Sequence, residues 1–423
     1  MLIELRVENH RSVGDEQALS FERSARPTTT GGPAEIGPLR VIALYGANAS
    51  GKSNVLAALC WMRDAVARSA RFWAPDEGVP REPFGWGPMT KAPSTFEVRL
   101  RLEGIDYEYG FVVDDQRVLE EWLYAWPHGR KQTWFTRDLD EFNFGEHFTG
   151  EKKQIAELTR QNALYLSTAV QLRHKQIGPI YEWFRGVQTV NVEGARHHWF
   201  SIRASRLDPW VRSDEPQQST PQGGSKVRHV RLLELLRTAD IGVIDVKIEA
   251  DPTAEEGDPW PSRRRGGQQR VLLQHQAHDE ASWLPLEAES KGTQTLFRLG
   301  PVLLEALETG GLLVIDELES SFHPLLARHV VALFDDPKVN SGRAQLLFST
   351  HDTHLIGTTI GPPTLSRDQV WFTEKDAGGA TRLTALSEFT PRKAENLERG
   401  YLQGRYGAVP FLGTLNEPEG GER

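Results

Sequence analysis

Gly46, Gly51, Lys52 and Ser53 follow the spacing G-x-x-x-x-G-K-S, with Ala47, Asn48, Ala49 and Ser50 between the glycines and Asn54 after them. The chemistry of that pattern is phosphate binding. Glycines let the backbone curl so that its N–H groups converge on phosphate oxygens, and a helix start behind them adds its positive end. Lys52 brings a charge suited to β- and γ-phosphates, and the Ser53 hydroxyl is a hard oxygen of the kind Mg²⁺ prefers. The pattern therefore points to a triphosphate, provided a strand precedes it and a helix follows.

A second group of chemical residues lies far along the chain. Asp316 and Glu317 close the apolar run 312–315, where a carboxylate can hold the water shell of Mg²⁺ and its neighbour can take a proton from an attacking water. Taken alone, the pair also fits two acids that solvate a strand end. Ser290, Gly292 and Thr293 head a helical stretch that begins 26 residues before Asp316. A helix start with a hydroxyl and a glycine suits an anion, although a plain capped helix has the same look. His351 ends the next apolar run, 346–348, within reach of a γ-phosphate or, in the bland reading, as a core histidine.

The elements that must position these residues are legible around them. Residues 41–44 are an apolar, β-branched run of the kind buried on both faces, and Val55, Leu59, Met62 and Val66 recur at helical spacing over 53–70. Runs 312–315, 346–348 and 370–372 read as further buried strands, separated by helices over 293–307, with Pro301 inside, and 324–334, with Pro324 at the first helical position. Strands alternating with helices imply a mainly parallel sheet whose ligand residues gather at carboxyl ends, where Gly46, Asp316 and His351 all fall. Between these lobes the period changes. Phe96, Val98, Leu100 and Leu102 alternate with charges, a turn is expected at 104–106, and Tyr107, Tyr109 and Phe111 resume, with Trp122, Tyr124 and Trp126 on a further strand. Residues 151–280 carry weaker signals: helices over 155–172, 180–185 and 230–238, and polar loops over 213–226 and 251–269, like the loop at 26–38. The expected fold is α/β, a P-loop core with a mainly parallel sheet, an antiparallel β subdomain and a mostly helical insertion. Its expected segments are 1–150, 151–280 and 281–423.

Composition bounds the function classes. A chain of 423 residues with 39% hydrophobic and 25% charged residues is ordinary for a globular protein, and no apolar run reaches membrane-spanning length. The alternation of Ile3, Leu5 and Val7 with Glu4, Arg6 and Glu8 reads as a half-buried strand and not a signal peptide. One cysteine, Cys60, permits no internal disulfide and fits a reducing cytoplasm. The net charge of −9 argues against coating nucleic acid along the whole surface. Local basic groups remain, at 263–265 and at Arg196, His197, His198, Arg203 and Arg206, for which a solvated loop is the simpler reading. No zinc constellation is visible among the histidines and Cys60.

The order of these motifs resembles the SMC-like, non-transporter branch of the ABC-type ATPases. It is similar in particular to the small bacterial AAA-type ATPases of abortive-infection and anti-phage systems, relatives of the OLD family. The matching stretches are ENHRSV, GANASGKSN, NALYLST, LLRTADIGV, AESKGTQTLF, LLVIDELESSFHP, FSTHDTHL and YLQGRYGAVP. The resemblance implies that Gly46, Asn48, Gly51, Lys52 and Ser53 form the Walker A loop, with Asp316 the Walker B metal residue, Glu317 the catalytic base and His351 the switch histidine. It implies that Ser290, Gly292 and Thr293 are a signature motif that meets ATP held by a second protomer, that residues 320–323 are the D-loop, and that Arg11 lies near the nucleotide. ATP and Mg²⁺ are the implied cofactors. A homodimer and a separately encoded, nuclease-like effector are the implied partners, with DNA a further one and the membrane excluded. The alternative is an SMC/RecF-like DNA-binding repair protein. Lys291 stands where the transporter signature has the first of two adjacent glycines, the Q-loop falls only roughly at 83–86, and residues 381–410 lack the spaced acids of a TOPRIM nuclease.

Overall fold

The structure is a computed structural model, and it describes residues 1–23, 37–192, 210–211, 225–238, 242–250, 269–276, 282–389 and 396–408. The expected loops at 26–38, 213–226 and 251–269 lie outside those residues except at their ends, where 225–226 begin a helix and 269 a strand, and the basic groups at 196–206 and 263–265 lie outside them entirely. The chain forms two compact units, one of residues 185–346 with Met1 and the other of residues 2–184 with 347–423.

In the second of these units an antiparallel sheet contains β1 (Leu2–Glu8), β2 (Gln17–Ser20), β4 (Ser94–Leu102), β5 (Ile105–Val113), β6 (Val118–Trp126), β7 (Gln132–Asp138) and β8 (Glu141–Phe144). Its order is β2-β1-β4-β5-β6-β7-β8. The period-two alternation places Phe96, Val98, Leu100, Tyr109 and Phe111 on a buried face. The β4–β5 turn is tighter than the expected 104–106. Leu102 pairs with Ile105, and Glu103 (φ 52°) and Gly104 (φ 82°) take the positive φ values of a two-residue hairpin turn.

In the same unit β3 (Val41–Gly46) is buried throughout and leads to the helix α1 (Lys52–Phe72). The helix buries Val55, Leu59, Met62 and Val66 as their spacing predicts. Trp61, also on α1, stacks on Phe96 at 4.5 Å and so anchors the helix to the antiparallel sheet. Strand Val370–Lys375 lies parallel to β3, with Gly46 opposite Thr373, and pairs antiparallel with Thr381–Ala385.

The expected single helix over 155–172 is instead two, Lys153–Leu158 and Tyr165–Gln171. The break has a polar cause. Asn162 Nδ2 donates to the carbonyls of Ala74 and Glu77, Arg160 donates to those of Ser69, Ala70 and Trp73, and the buried Glu121 carboxylate accepts the N–H groups of Tyr165 and Leu166 at 2.6 and 3.0 Å. The Glu121 carboxylate thus satisfies two N–H groups that a continuous helix would have used internally, while Arg160 and Asn162 tie the break to the end of α1 and the loop after it.

The other unit has its own parallel pair, Gln188–Val190 beside Leu312–Ile315. Helix Lys291–Thr309 runs on through Pro301, and Gly300 lets helix Ser225–Thr238 approach, since a Cβ there would stand 2.8 Å from Leu232. Helix Pro324–Asp335 starts on its proline. Besides helices, the stretch 185–285 holds a three-stranded antiparallel sheet of Val243–Ala250, Gln269–His275 and Ser282–Pro285. Parallel strand pairs, helices between them and separate antiparallel sheets make the chain α/β, as the motif order predicts. Among the described residues no helix is long and apolar enough to cross a membrane.

Candidate functional site

Gly46 is the last residue of β3, and Ala47 to Ser50 turn the chain into α1. Two residues of the turn take left-handed backbone, Ala49 at φ 61° and Gly51 at φ 107°. Asn48 and Ala49 are exposed, whereas Ser50 is buried. Gly51 is the N-cap of α1 and brings no side chain to cap it, and the first turn has no acid. A helix start left so is a donor surface for an anion.

Lys52 is only 6% exposed and reaches back over the loop, donating from Nζ to the carbonyls of Gly46 at 2.9 Å and Ala47 at 3.1 Å. The same Nζ lies 3.0 Å from Nε2 of His351, which follows strand Gln345–Thr350. An ammonium only donates, so Nε2 accepts and the imidazole carries its proton on Nδ1. The structure thus brings Lys52 and His351, 299 residues apart in sequence, into direct contact. Ser53 is half-buried one residue beyond, and Asn54 donates to Ser12 Oγ at 2.6 Å.

Arg11, in left-handed backbone at φ 51°, donates to both Glu82 carboxylate oxygens at 2.8 and 3.2 Å. Its backbone N–H is bound to the Glu82 carbonyl, so Arg11 is fastened to the residue preceding the expected Q-loop region.

In the unit of residues 185–346, Asp316 follows strand Leu312–Ile315, is 6% exposed, and donates its backbone N–H to the Val190 carbonyl at 3.0 Å. Glu317 is exposed and takes left-handed backbone, φ 53° and ψ 67°, at the head of the short helix Leu318–Ser321. Non-glycine residues take that conformation at a cost of about 1–3 kcal/mol, and such strain clusters at functional positions. Ser320 fixes the turn by donating its N–H and hydroxyl to the Glu317 carbonyl.

Also in this unit, Ser290 is the N-cap of helix Lys291–Thr309, its Oγ accepting from the Thr293 N–H at 3.1 Å and lying 2.9 Å from Thr293 Oγ1. Thr293 is buried, while Ser290, Lys291 and Gly292 are exposed. Among the described residues a Cβ on Gly292 would meet Ser290 Oγ alone, at 3.7 Å, so none of them requires glycine there.

Sequence reasoning missed Ser12, Thr373 and Thr381, whose hydroxyls meet the loop at Ser50 and Asn54. Thr373 and Thr381 stand more than 300 residues from the loop, in stretches with no motif, and only the register of the strands reveals them.

A search of curated proteins finds no match. Among solved structures the chain is similar to an SMC head bound to the C-winged helix domain of ScpA, at 12% identity and a TM-score of 0.43, covering 95% of this chain and 99% of that one. It is similar also to the SMC head domain from Thermotoga maritima, at 13% identity, a TM-score of 0.40 and coverage of 91% and 98%. A third is the Smc head with an extended coiled coil bound to the C-terminal domain of ScpA from Pyrococcus furiosus, at 12%, 0.45, and 96% and 98%. A family profile described as "AAA domain, putative AbiEii toxin, Type IV TA system" matches residues 41–357, from the strand before the phosphate loop to just beyond His351. That match spans well over half of the chain, and the chain belongs to this AAA family.

Proposed function

We propose that the protein is a Mg²⁺-dependent ATPase that dimerises on ATP and regulates a separately encoded effector in a bacterial anti-phage system of the abortive-infection type. One observation carries the ATPase part: Lys52, buried over the uncapped start of α1, with His351 at its Nζ. That is a cation and a hydrogen-bonding group gathered where the backbone presents donors to phosphate. The residues fit the nucleotide. Gly46 to Asn54 would hold its phosphates, and Ser53 and Asp316 would offer hard oxygens to Mg²⁺. Mg²⁺ held through one or two protein oxygens ordinarily keeps several waters and substrate phosphate oxygens. Bound Mg²⁺ would supply charge neutralisation at the transferring phosphoryl group.

The chain's own residues then have separate tasks. Lys52 exchanges the Gly46 and Ala47 carbonyls for phosphate oxygens. His351, released from Lys52, donates toward the γ-phosphate in its protonated form or orients the attacking water as an acceptor. Glu317, exposed and held in left-handed backbone, is the general base for that water. The exposed Ser290, Lys291 and Gly292 form the face offered to a second copy. ATP held by both copies favours the dimer through its differential affinity, and hydrolysis removes that preference. The family description, which names a Type IV TA system, supports a role beside a second component. The test is Mg²⁺-dependent phosphate release by the purified protein, with Lys52→Ala and Glu317→Gln as controls. Release at equal rates by all three proteins would end the proposal.

A further inference from the structure

Both glycines of the phosphate loop face a threonine hydroxyl. A Cβ on Gly46 would stand 2.2 Å from Thr373 Oγ1, and a Cβ on Gly51 would stand 2.0 Å from Thr381 Oγ1. The two threonines lie on paired strands, Val370–Lys375 and Thr381–Ala385, and each also grips Ser50, the buried residue of the loop. Ser50 Oγ is 2.5 Å from Thr373 Oγ1, which in turn donates to the Tyr45 carbonyl at 3.2 Å. Thr373 has one proton to give, so the order is Ser50 hydroxyl to Thr373 hydroxyl to Tyr45 carbonyl. On the other side Thr381 Oγ1 donates to the Ser50 carbonyl at 3.0 Å. Its lone pairs receive Lys375 Nζ at 3.2 Å and the Ser12 hydroxyl at 2.8 Å, and Ser12 Oγ receives Asn54 Nδ2 at 2.6 Å. The Thr381 backbone N–H donates to the Ser12 carbonyl at 2.7 Å, which holds the same residues together a second time.

We infer that Thr373 and Thr381 are positioning residues of the phosphate site: the hairpin that carries them is the template on which the loop between Gly46 and Gly51 is shaped. Ser50 is held by its side chain from one strand and by its carbonyl from the other, and its N–H is bound to the Ala47 carbonyl at 3.2 Å, so the peptide planes on either side of it are fixed. Those planes set where the N–H groups of the loop point. The glycines are needed at 46 and 51 because the hydroxyls occupy the space of a side chain. Ser12 and Asn54 extend the same network to the first turn of α1, which links the ENHRSV stretch to the loop through a named path. The inference rests on the reading of this loop as an ATP site.

Thr381→Val keeps the shape of the side chain and removes its hydroxyl, so the Ser50 carbonyl loses its donor and the Ser12 hydroxyl its acceptor. Removing a buried hydrogen bond of this kind corresponds to an affinity loss of about tenfold. The experiment is titration of wild type, Thr381→Val, Thr381→Ser and Thr373→Val with a fluorescent ATP analogue, with thermal melting of each and KM and kcat measured separately. The two valine variants are expected to bind about tenfold more weakly, raise KM by a similar factor and change kcat less than threefold. Thr381→Ser is expected to restore binding to within about twofold of wild type. Ser12→Ala, at the outer end of the path, is a milder variant expected to weaken binding about threefold without lowering the melting temperature. Wild-type affinity in Thr381→Val and Ser12→Ala would overturn the inference, as would a loss that serine does not rescue. Failure of the wild type itself to bind would instead overturn the ATP-site reading.

Discussion

The ammonium of Lys52 and the imidazole of His351 meet at 3.0 Å, with the Lys52 charge also shared by two loop carbonyls. On the proposed ATP-site reading, the two residues hold one another before ATP arrives and would meet the same phosphate afterwards.

From that contact follows a split in their variants. Lys52→Met removes charge-assisted bonds worth about 1.5–3 kcal/mol each, so ATP affinity should fall ten- to a hundredfold or more. His351→Ala should leave affinity within about threefold of wild type and lower kcat about 10²-fold, the usual loss for one polar contact to a transition state. Equilibrium titration and steady-state phosphate release separate the two, and equal affinity losses in both variants would contradict the assignment.

Glu317 should behave as a base on a strained turn. Glu317→Gln should lower kcat by about 10²- to 10⁴-fold while ATP binding persists. Glu317→Gly should be as inactive, yet no less stable than wild type, because glycine takes φ 53° without the steric cost. Melting temperature and turnover measured on both variants check this, and a glycine variant that melts well below wild type would count against strain at Glu317.

Gly292 is exposed, and among the described residues a Cβ there meets nothing closer than Ser290 Oγ at 3.7 Å. Gly292→Arg should therefore fold and bind ATP as wild type does, but lose any ATP-dependent association, because the arginine would intrude on the face offered to a second copy. Analytical ultracentrifugation with and without ATP distinguishes this from a variant that dimerises normally.

His10 supplies a pH dependence. Burial, helped by the Arg11 charge, pushes its imidazole down to about 3, and neither ring nitrogen has a hydrogen-bond partner among the described residues. The ring instead sits edge-on to Phe96 at 5.4 Å. The unfolded chain takes up a proton below about pH 6.5 that the folded chain refuses. Its contribution is complete above that pH, and stability falls by about 1.4 kcal/mol per unit as pH drops toward 3. His10→Phe should flatten the slope of unfolding free energy between pH 6.5 and 4 by that amount, measured by urea denaturation.

The sequence made the strand ends readable and left the supports behind them obscure. Gly46, Asp316 and His351 could be placed because each closes a short run of buried apolar residues, a pattern with few competing explanations. Glu121 could not, since a charged residue in an alternating strand reads as solvent-facing, and its burial is explained only by the Tyr165 and Leu166 N–H groups, the Tyr109 hydroxyl and nearby Arg137. The same contacts divide the helix expected over 155–172. Strands β2 and β8, four residues each, are too short for periodicity to register. Thr373 and Thr381 depend on the pairing of strands distant in sequence, which no local pattern encodes.

The most direct test of ATP as the link between two copies is the mass of Glu317→Gln measured by light scattering, first alone and then with Mg²⁺ and ATP. The expected result is a monomer that becomes a stable dimer on adding ATP and stays monomeric when Gly292→Arg is added to the same chain. A Glu317→Gln protein that binds ATP and remains a monomer across the accessible concentration range would contradict it.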